Sequence, residues 1–200
     1  VDVSSLEKST YKRVALLGYA CDEGVKRNQG RIGSIEGPDA IRKKLGNLPN
    51  HLDAETALLD VGNILCLNAD LETAQDKLAQ QVQQLLERNL FPIILGGGHD
   101  IAYGNYNGIK KHLGNSKSIG IINFDAHFDL SSNENGNTSG TPFYQIAKDC
   151  EASGTAFHYL CLGIREDAND SSLFKTAKEL EVKYILRDTF RIEFYNEINA

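Results

Sequence analysis

Short apolar runs alternate with longer amphipathic segments along this chain, a pattern that predicts strands separated by helices. Strands are predicted at residues 14–17, 57–61, 91–95, 119–124, 157–162 and 182–186. Helices are predicted at 38–45, 71–88, 101–111, 142–148, 172–180 and 189–200. The runs carry little polar alternation, which is typical of strands buried on both faces of a parallel sheet. We therefore predict an α/β fold: a doubly wound, mostly parallel sheet with helices on both faces.

The segment 71–88 is a clear amphipathic helix, with its apolar residues on one face and Asp70 as its N-cap. A stripe of this kind is typical of core packing, so we assign it no functional role. Two segments rich in glycine and polar residues are predicted to be loops. The segment 22–37 is a surface loop that could line a site, and 131–140 is a mobile loop directly behind the candidate residues 125–129.

Composition limits the class of protein. The 200 residues, 41% of them hydrophobic, indicate one globular domain over residues 1–200. A net charge of −6 argues against a nucleic-acid or membrane-surface partner, since both need a basic face. No apolar run approaches the about 20 residues of a membrane span. The four cysteines lack C-x-x-C spacing, so we interpret them as reduced thiols of a cytoplasmic protein.

Metal-capable side chains follow the predicted strand 119–124, in the sequence Asp125-Ala-His-Phe-Asp129. In an extended chain, side chains at i, i+2 and i+4 point to one side. The carboxyl ends of parallel strands are where open α/β sheets build their sites. Two carboxylates and one imidazole suit a divalent ion such as Mn²⁺. The alternative is that these residues only cap the next segment and bind water.

A second motif, Gly96-Gly-Gly-His99, follows the predicted strand 91–95 and should reach the same sheet edge. Three glycines let the backbone pass close to a ligand. The spacing matches neither of the phosphate-binding loop patterns, and no H-E-x-x-H peptidase motif is present. A strained turn with an incidental histidine remains the alternative. The other histidines, His51, His112 and His158, are interpreted as surface or core residues.

Together, Leu95-Gly-Gly-Gly-His99 and Asn123-Phe-Asp-Ala-His-Phe-Asp129 resemble the ureohydrolase family of arginases, agmatinases and formimidoylglutamases. The resemblance extends from about residue 16 onward. It is greatest to the formimidoylglutamase branch, which the segment Ser139-Gly-Thr-Pro-Phe143 also resembles. Arginases and agmatinases usually carry H-G-x-P at that point, so the resemblance argues against those two activities.

The resemblance implies a metal-dependent hydrolase that cleaves N-formimidoyl-L-glutamate to L-glutamate and formamide, a step of histidine breakdown. It implies two Mn²⁺ ions per subunit of the complete protein, which activate a shared water as hydroxide. His99, Asp125 and Asp129 would hold one ion, and Asp125 and His127 would reach the second, with Asp125 bridging. The proton donor is not identified, and the family favours a homo-oligomer.

The substrate of such an enzyme carries two carboxylates, which need cations. Arg27, Arg31 and Arg165 are the candidates by charge and loop placement. Equally, all three could be solvated surface arginines.

The family supplies further carboxylate ligands from a later strand, in a pattern like S-x-D-x-D-x-x-D-P, which is absent from these 200 residues. Four side chains cannot satisfy two ions that each want five or six ligands. We therefore expect a longer native protein, with the C-terminal part missing here and this segment inactive by itself. The chain starts at Val1 and contains no Met.

Three alternatives stay open at this point. The first is another ureohydrolase, similar to an agmatinase, an arginase or a guanidino-acid hydrolase. The second is a truncated, non-catalytic metal-binding domain. The third is a metallophosphoesterase, which lacks its N-D, H-E and G-H-x-H series here.

Overall fold

The computed structural model describes residues 12–114 and 117–189, which form six strands and six α-helices. In chain order these are β1 (Lys12–Ala20), α1 (Glu23–Arg27), α2 (Gly37–Leu45), β2 (Thr56–Leu65), α3 (Leu71–Glu87), β3 (Leu90–Leu95), α4 (Ile101–Leu113), β4 (Gly120–Phe124), α5 (Pro142–Ser153), β5 (His158–Ile164), α6 (Ser171–Glu179) and β6 (Lys183–Leu186).

The strands pair in parallel throughout, in the orders β2-β1-β3 and β4-β5-β6. The predicted class of fold, parallel strands alternating with helices, is therefore confirmed. The hydrogen bonds divide the strands between two three-stranded sheets, and β3 and β4 each pair with one neighbour in the described part of the chain. Hydrophobic pattern predicts where strands occur, but it carries no information on which strands pair.

The predicted elements match the observed ones, with shifted ends. Both α5 and β2 run several residues beyond their predicted limits. The segment 22–37 was predicted to be a loop, and this is wrong in part, since it contains α1 and the 3-10 turn Ser34–Glu36. These elements are shorter than two helical turns and leave no readable period. The predicted helix 189–200 lies outside the described residues apart from Thr189.

The first core lies between β1 and α3. Ala15, Leu17 and Tyr19 point to one face of β1 and meet the apolar stripe of α3. Asp70 caps α3 as predicted, because its Oδ1 accepts a hydrogen bond from the Thr73 amide at 3.0 Å. On the opposite face of β1, Gly18 lies against Pro38 of α2. Helices therefore cover both faces of this sheet.

Helix α4 connects the two halves of the molecule. It packs extensively on α3 and also contacts α5. Ile101 and Ile109 join the first core, whereas Tyr106 belongs to the second core, which is built around β5 and α5. Gly104 and Gly108 face α3, where a larger residue would collide with Leu78 and Val82. The close contact between α3 and α4 depends on these two glycines.

The edge strands β3 and β4 face each other across a cleft of about 410 Å³ that reaches His99. Tyr106 and Ile109 of α4 line this cleft. Both strands also expose large apolar side chains: Phe91, Ile93, Ile122 and Phe124. Among the described residues, no helix combines the length and the apolar character that crossing a membrane requires.

Replacing Gly108 with Ala tests the contact between α3 and α4. The added methyl would lie 2.6 Å from Val82 Cβ and 2.7 Å from the Ala79 carbonyl oxygen. Overpacking of this kind should lower the free energy of unfolding by about 1–3 kcal/mol, although Ala is the better helix former. Urea unfolding measures the change.

Gly46→Ala is the matched control, since its methyl would meet only the Arg42 carbonyl oxygen at 3.5 Å. The backbone of Gly46, with φ −62°, accepts any residue. Equal stability of Gly108→Ala and the unaltered protein would contradict the close helix contact.

Candidate metal centre

The turn after β3 and the segment after β4 bring three of the four predicted ligands together. His99 Nδ1 lies 3.0 Å from Asp125 Oδ2 and 2.6 Å from Asp129 Oδ2. One ligand atom from each of the three residues falls within 4.8 Å of the others. Nitrogen and carboxylate oxygen atoms are the donors that Mn²⁺ and similar ions accept. This donor set fits a divalent cation.

His127 lies beside this cluster and outside it. Its Nδ1 is 3.4 Å from Asp125 Oδ1, and its side chain is 56% exposed. The Asp125 carboxylate therefore stands between two histidines, with Oδ2 on the side of His99 and Oδ1 on the side of His127. This division would allow the carboxylate to offer one oxygen to each of two ions.

Residues 125–129 do not form the extended chain that was predicted from the i, i+2, i+4 spacing. β4 ends at Phe124, and Asp129 has a left-handed backbone with φ 46°, a conformation that Asp tolerates better than most residues. This backbone turn, and not strand alternation, brings Asp129 back towards Asp125.

Asn169 secures the ligand segment. Its Nδ2 donates to the Ala126 carbonyl at 2.8 Å, and its Oδ1 accepts from the Phe128 amide at 3.0 Å. Two main-chain hydrogen bonds add to this: the Leu162 carbonyl of β5 accepts from the Asp125 amide at 3.1 Å, and the Arg165 amide, directly after β5, donates to the Ala126 carbonyl at 3.0 Å. Asn169 was not predicted from the sequence, because nothing marks a single asparagine 41 residues beyond Phe128.

The triple-glycine turn is attached to the end of β1. The Gly97 amide donates to the Tyr19 carbonyl at 3.3 Å, and the Gly98 amide donates to the Cys21 carbonyl at 2.9 Å. These bonds fix the backbone on which His99 sits. The turn amides of Gly97 and Gly98 are therefore used by the protein itself, which argues against the phosphate-loop interpretation.

The two carboxylates of the cluster favour a positive charge on His99. Burial opposes protonation of His99, but hydrogen bonds to Asp125 and Asp129 outweigh burial and raise the pKa of His99 to about 10. Burial likewise raises the pKa of Asp125, but the bond from His99 and the His127 amide outweigh it, and the result is a pKa of about 2. Both pKa shifts have one cause, because the carboxylates at this point stabilise a positive charge on His99.

Two aromatic side chains, Phe143 and Tyr159, pack beside His99. The His99 ring packs edge-on against Phe143, with centroids 5.4 Å apart, and Phe143 stacks on Tyr159 at 4.3 Å. The Tyr159 hydroxyl donates to the Phe128 carbonyl and accepts from Asn123 Nδ2. A role of Phe143 and Tyr159 beside His99 was not predicted from the sequence, because aromatic residues of helices and strands ordinarily belong to the core.

The three candidate substrate arginines differ in their surroundings. Arg27 is engaged by the carboxylates of Glu23 and Glu72 and by the carbonyls of Ala69 and Asn137. Arg165 pairs with Asp167. Arg31 is exposed and makes no hydrogen bond or ion pair with any described residue. Of the three, Arg31 therefore has the guanidinium that is most available to an anion.

Comparison with known proteins places this arrangement in context. The model of the arginase family matches residues 12–198. A formimidoylglutamase of Aeromonas salmonicida is 50% identical over 172 residues, which are 86% of this chain and 54% of that protein. One of Clostridium tetani is 47% identical over 175 residues, covering 86% and 52%. The chain thus spans about half the length of these relatives.

Two solved structures extend the comparison to the fold. A Trypanosoma cruzi formiminoglutamase crystallised with Mn²⁺ superposes with a TM-score of 0.78 at 26% identity, over 94% of this chain and 65% of that one. An arginase of Bacillus subtilis superposes with a TM-score of 0.67 at 29% identity, over 88% and 63%.

Arg27→Gln tests whether Arg27 is a loop anchor. Losing a hydrogen bond to a charged group costs about 1.5–3 kcal/mol, so amide exchange at residues 133–139 should accelerate about tenfold or more. Hydrogen exchange followed by mass spectrometry measures this. Arg165→Gln, which removes an exposed pair, is the control and should leave that segment unchanged. Unaltered exchange in Arg27→Gln would show that the anchor has no effect.

Proposed function

The chain belongs to the arginase family, and from this premise we propose that the complete protein hydrolyses N-formimidoyl-L-glutamate to L-glutamate and formamide. The observation that carries the proposal is the convergence of His99, Asp125 and Asp129 at the carboxyl ends of β3 and β4. Relatives that are 47–50% identical and are named formimidoylglutamases support the choice of substrate.

We propose that His99, Asp125 and Asp129 hold one Mn²⁺ and that Asp125 and His127 reach a second. The divided carboxylate of Asp125 supports this pairing, as does the Mn²⁺ in the Trypanosoma cruzi structure. When bound, the ions would supply Lewis-acid activation of water. The protein's part is to hold these ligands in place, through Asn169 on one side and Phe143 on the other.

Four side chains fall short of two complete coordination spheres. We propose that further ligands come from outside these 200 residues. The cleft between β3 and β4 leads to His99 and leaves room for such an approach.

We propose that Arg31 is the residue of this chain that binds a substrate carboxylate. Recognition of a carboxylate needs a guanidinium that is not already neutralised. The ion pairs of Arg27 with Glu72 and of Arg165 with Asp167 favour Arg31 over the other two candidates.

The related alternative is a ureohydrolase acting on a guanidino compound. The segment Ser139-Gly-Thr-Pro142, which lacks the histidine usual in arginases and agmatinases, disfavours it. We further propose a cytoplasmic homo-oligomer. Support for the compartment comes from the cysteines, which are free thiols, as expected in a reducing environment.

The decisive assay uses the complete gene product with Mn²⁺ and N-formimidoyl-L-glutamate, and formamide release is expected. His127→Ala should lower kcat/KM by about 100-fold or more, because the second ion loses a ligand. His158→Ala is the matched control, since this exposed histidine lies at the opposite, amino-terminal end of β5. Urea release from a guanidino substrate would contradict the proposed activity.

The segment ending at Ala200 should release no formamide in the same assay, because its coordination spheres are incomplete. Absence of both Mn²⁺ binding and formamide release in the complete protein would contradict the proposed function.

Arg31→Gln tests substrate recognition. Loss of one hydrogen bond between charged groups, about 1.5–3 kcal/mol, should raise KM about 10–100-fold and change kcat little. Steady-state kinetics separate the two constants. Arg165→Gln is the control and should leave KM unchanged; a larger effect of Arg165→Gln would reverse the assignment.

A further inference from the structure

Asp100, the residue directly after His99, carries a fully buried carboxyl group. The Tyr19 hydroxyl donates to its Oδ2 at 2.8 Å, and Gln75 Nε2 donates to its main-chain oxygen at 3.0 Å. Its Oδ1 has no hydrogen-bond partner among the described residues. A buried oxygen without a partner is costly. Packing must therefore hold this group where it is.

Two glycines form the surface against which Oδ1 lies. A Cβ added to Gly24 would fall 2.2 Å from this oxygen, and one added to Gly98 would fall 2.3 Å from it. Gly24 belongs to α1, far from His99 in sequence. Helix α1 thus rests directly on the residue that follows a metal ligand.

The same helix reaches the segment that follows Asp129. The Ser139 amide donates to the Gly24 carbonyl at 3.0 Å, and Arg27 Nη1 donates to the Asn137 carbonyl at 3.3 Å. Directly after α1, Asn28 accepts from the Thr138 hydroxyl at 3.3 Å. Helix α1 therefore holds the loop 131–140.

This loop is closely tied to Asp129. Its two ends are joined by a hydrogen bond from the Ser131 amide to the Gly140 carbonyl at 3.0 Å. Directly after the loop, at the start of α5, the Phe143 amide donates to the Asp129 carbonyl at 3.3 Å. A shift of the loop would therefore shift Asp129.

We propose that α1 is a positioning element of the metal centre and that Gly24 is its central residue. Gly24 meets Asp100, and through it His99, on one side; its carbonyl holds the loop after Asp129 on the other. The short helix thereby sets the separation of two ligands that come from different strands. This inference rests on the proposed metal centre.

A purely structural role makes a different prediction. If α1 only packs, a change at Gly24 would alter the stability of the metal-free protein and leave the Mn²⁺ affinity of the folded protein unchanged. Metal affinity, measured apart from stability, separates the two roles.

The test is Gly24→Ala in the complete gene product, with Mn²⁺ as the probe and electron paramagnetic resonance of the free ion as the readout. The dissociation constant should rise about tenfold or more, the scale of residues that support ligands. Circular dichroism establishes that the metal-free variant is folded. Gly46→Ala is the matched control and should bind Mn²⁺ as the unaltered protein does.

Asp100→Ala closes a double-mutant cycle with Gly24→Ala. With the carboxylate gone, the added methyl has room, so Gly24→Ala should weaken binding less in the Asp100→Ala background. Additive effects would overturn the route through Asp100. Tyr19→Phe removes only the hydroxyl that holds Oδ2 and should weaken Mn²⁺ binding about tenfold. If Gly24→Ala does not fold, Arg27→Gln replaces it, because this variant removes the bond from α1 to the Asn137 carbonyl and should also weaken Mn²⁺ binding about tenfold.

The outcomes distinguish this inference from the proposed function. Unchanged affinity in a folded Gly24→Ala protein would overturn the inference alone. Absence of Mn²⁺ binding by the unaltered complete protein would overturn the proposed metal centre and this inference with it.

Discussion

Two carboxylates that approach one imidazole dominate the carboxyl edge of β3 and β4. Asp125 and Asp129 would repel each other if no positive charge lay between them, and His99 occupies that place. The low pKa of Asp125 and the high pKa of His99 follow from this one arrangement. Because like charges repel each other, the surrounding hydrogen bonds must hold Asp125 and Asp129 close together.

Residues distant in sequence provide these hydrogen bonds. Asn169 and the end of β5 hold the segment 125–129, while the end of β1 holds the turn that carries His99. The two ligand segments belong to different three-stranded sheets. Two features join the two segments. Helix α4 contributes side chains to both cores, and the charge cluster itself contains residues of both segments. Fold and site are therefore mechanically linked.

Charge neutralisation also distinguishes two of the candidate arginines. Arg27 contacts two carboxylates and two carbonyls, so its charge is already neutralised by the contacts that join α1, α3 and the loop 131–140. Arg31 belongs to the same Gly-rich segment and has no such partner among the described residues. By sequence these two residues are equivalent, and only their neighbours distinguish them.

The sequence by itself determined the class of fold and the residue types of the candidate site. Apolar runs and amphipathic stretches are local signals, so the strands and the α3 cap at Asp70 could be read from them. Residue types at strand ends likewise marked His99, Asp125, His127 and Asp129 as candidate ligands. Only the tertiary structure decided which strands pair, that Asp129 returns through a left-handed turn, and that Asn169 bonds the segment 125–129 while Asp100 lies against α1. These features depend on contacts between residues far apart in the chain, and local patterns carry no record of such contacts.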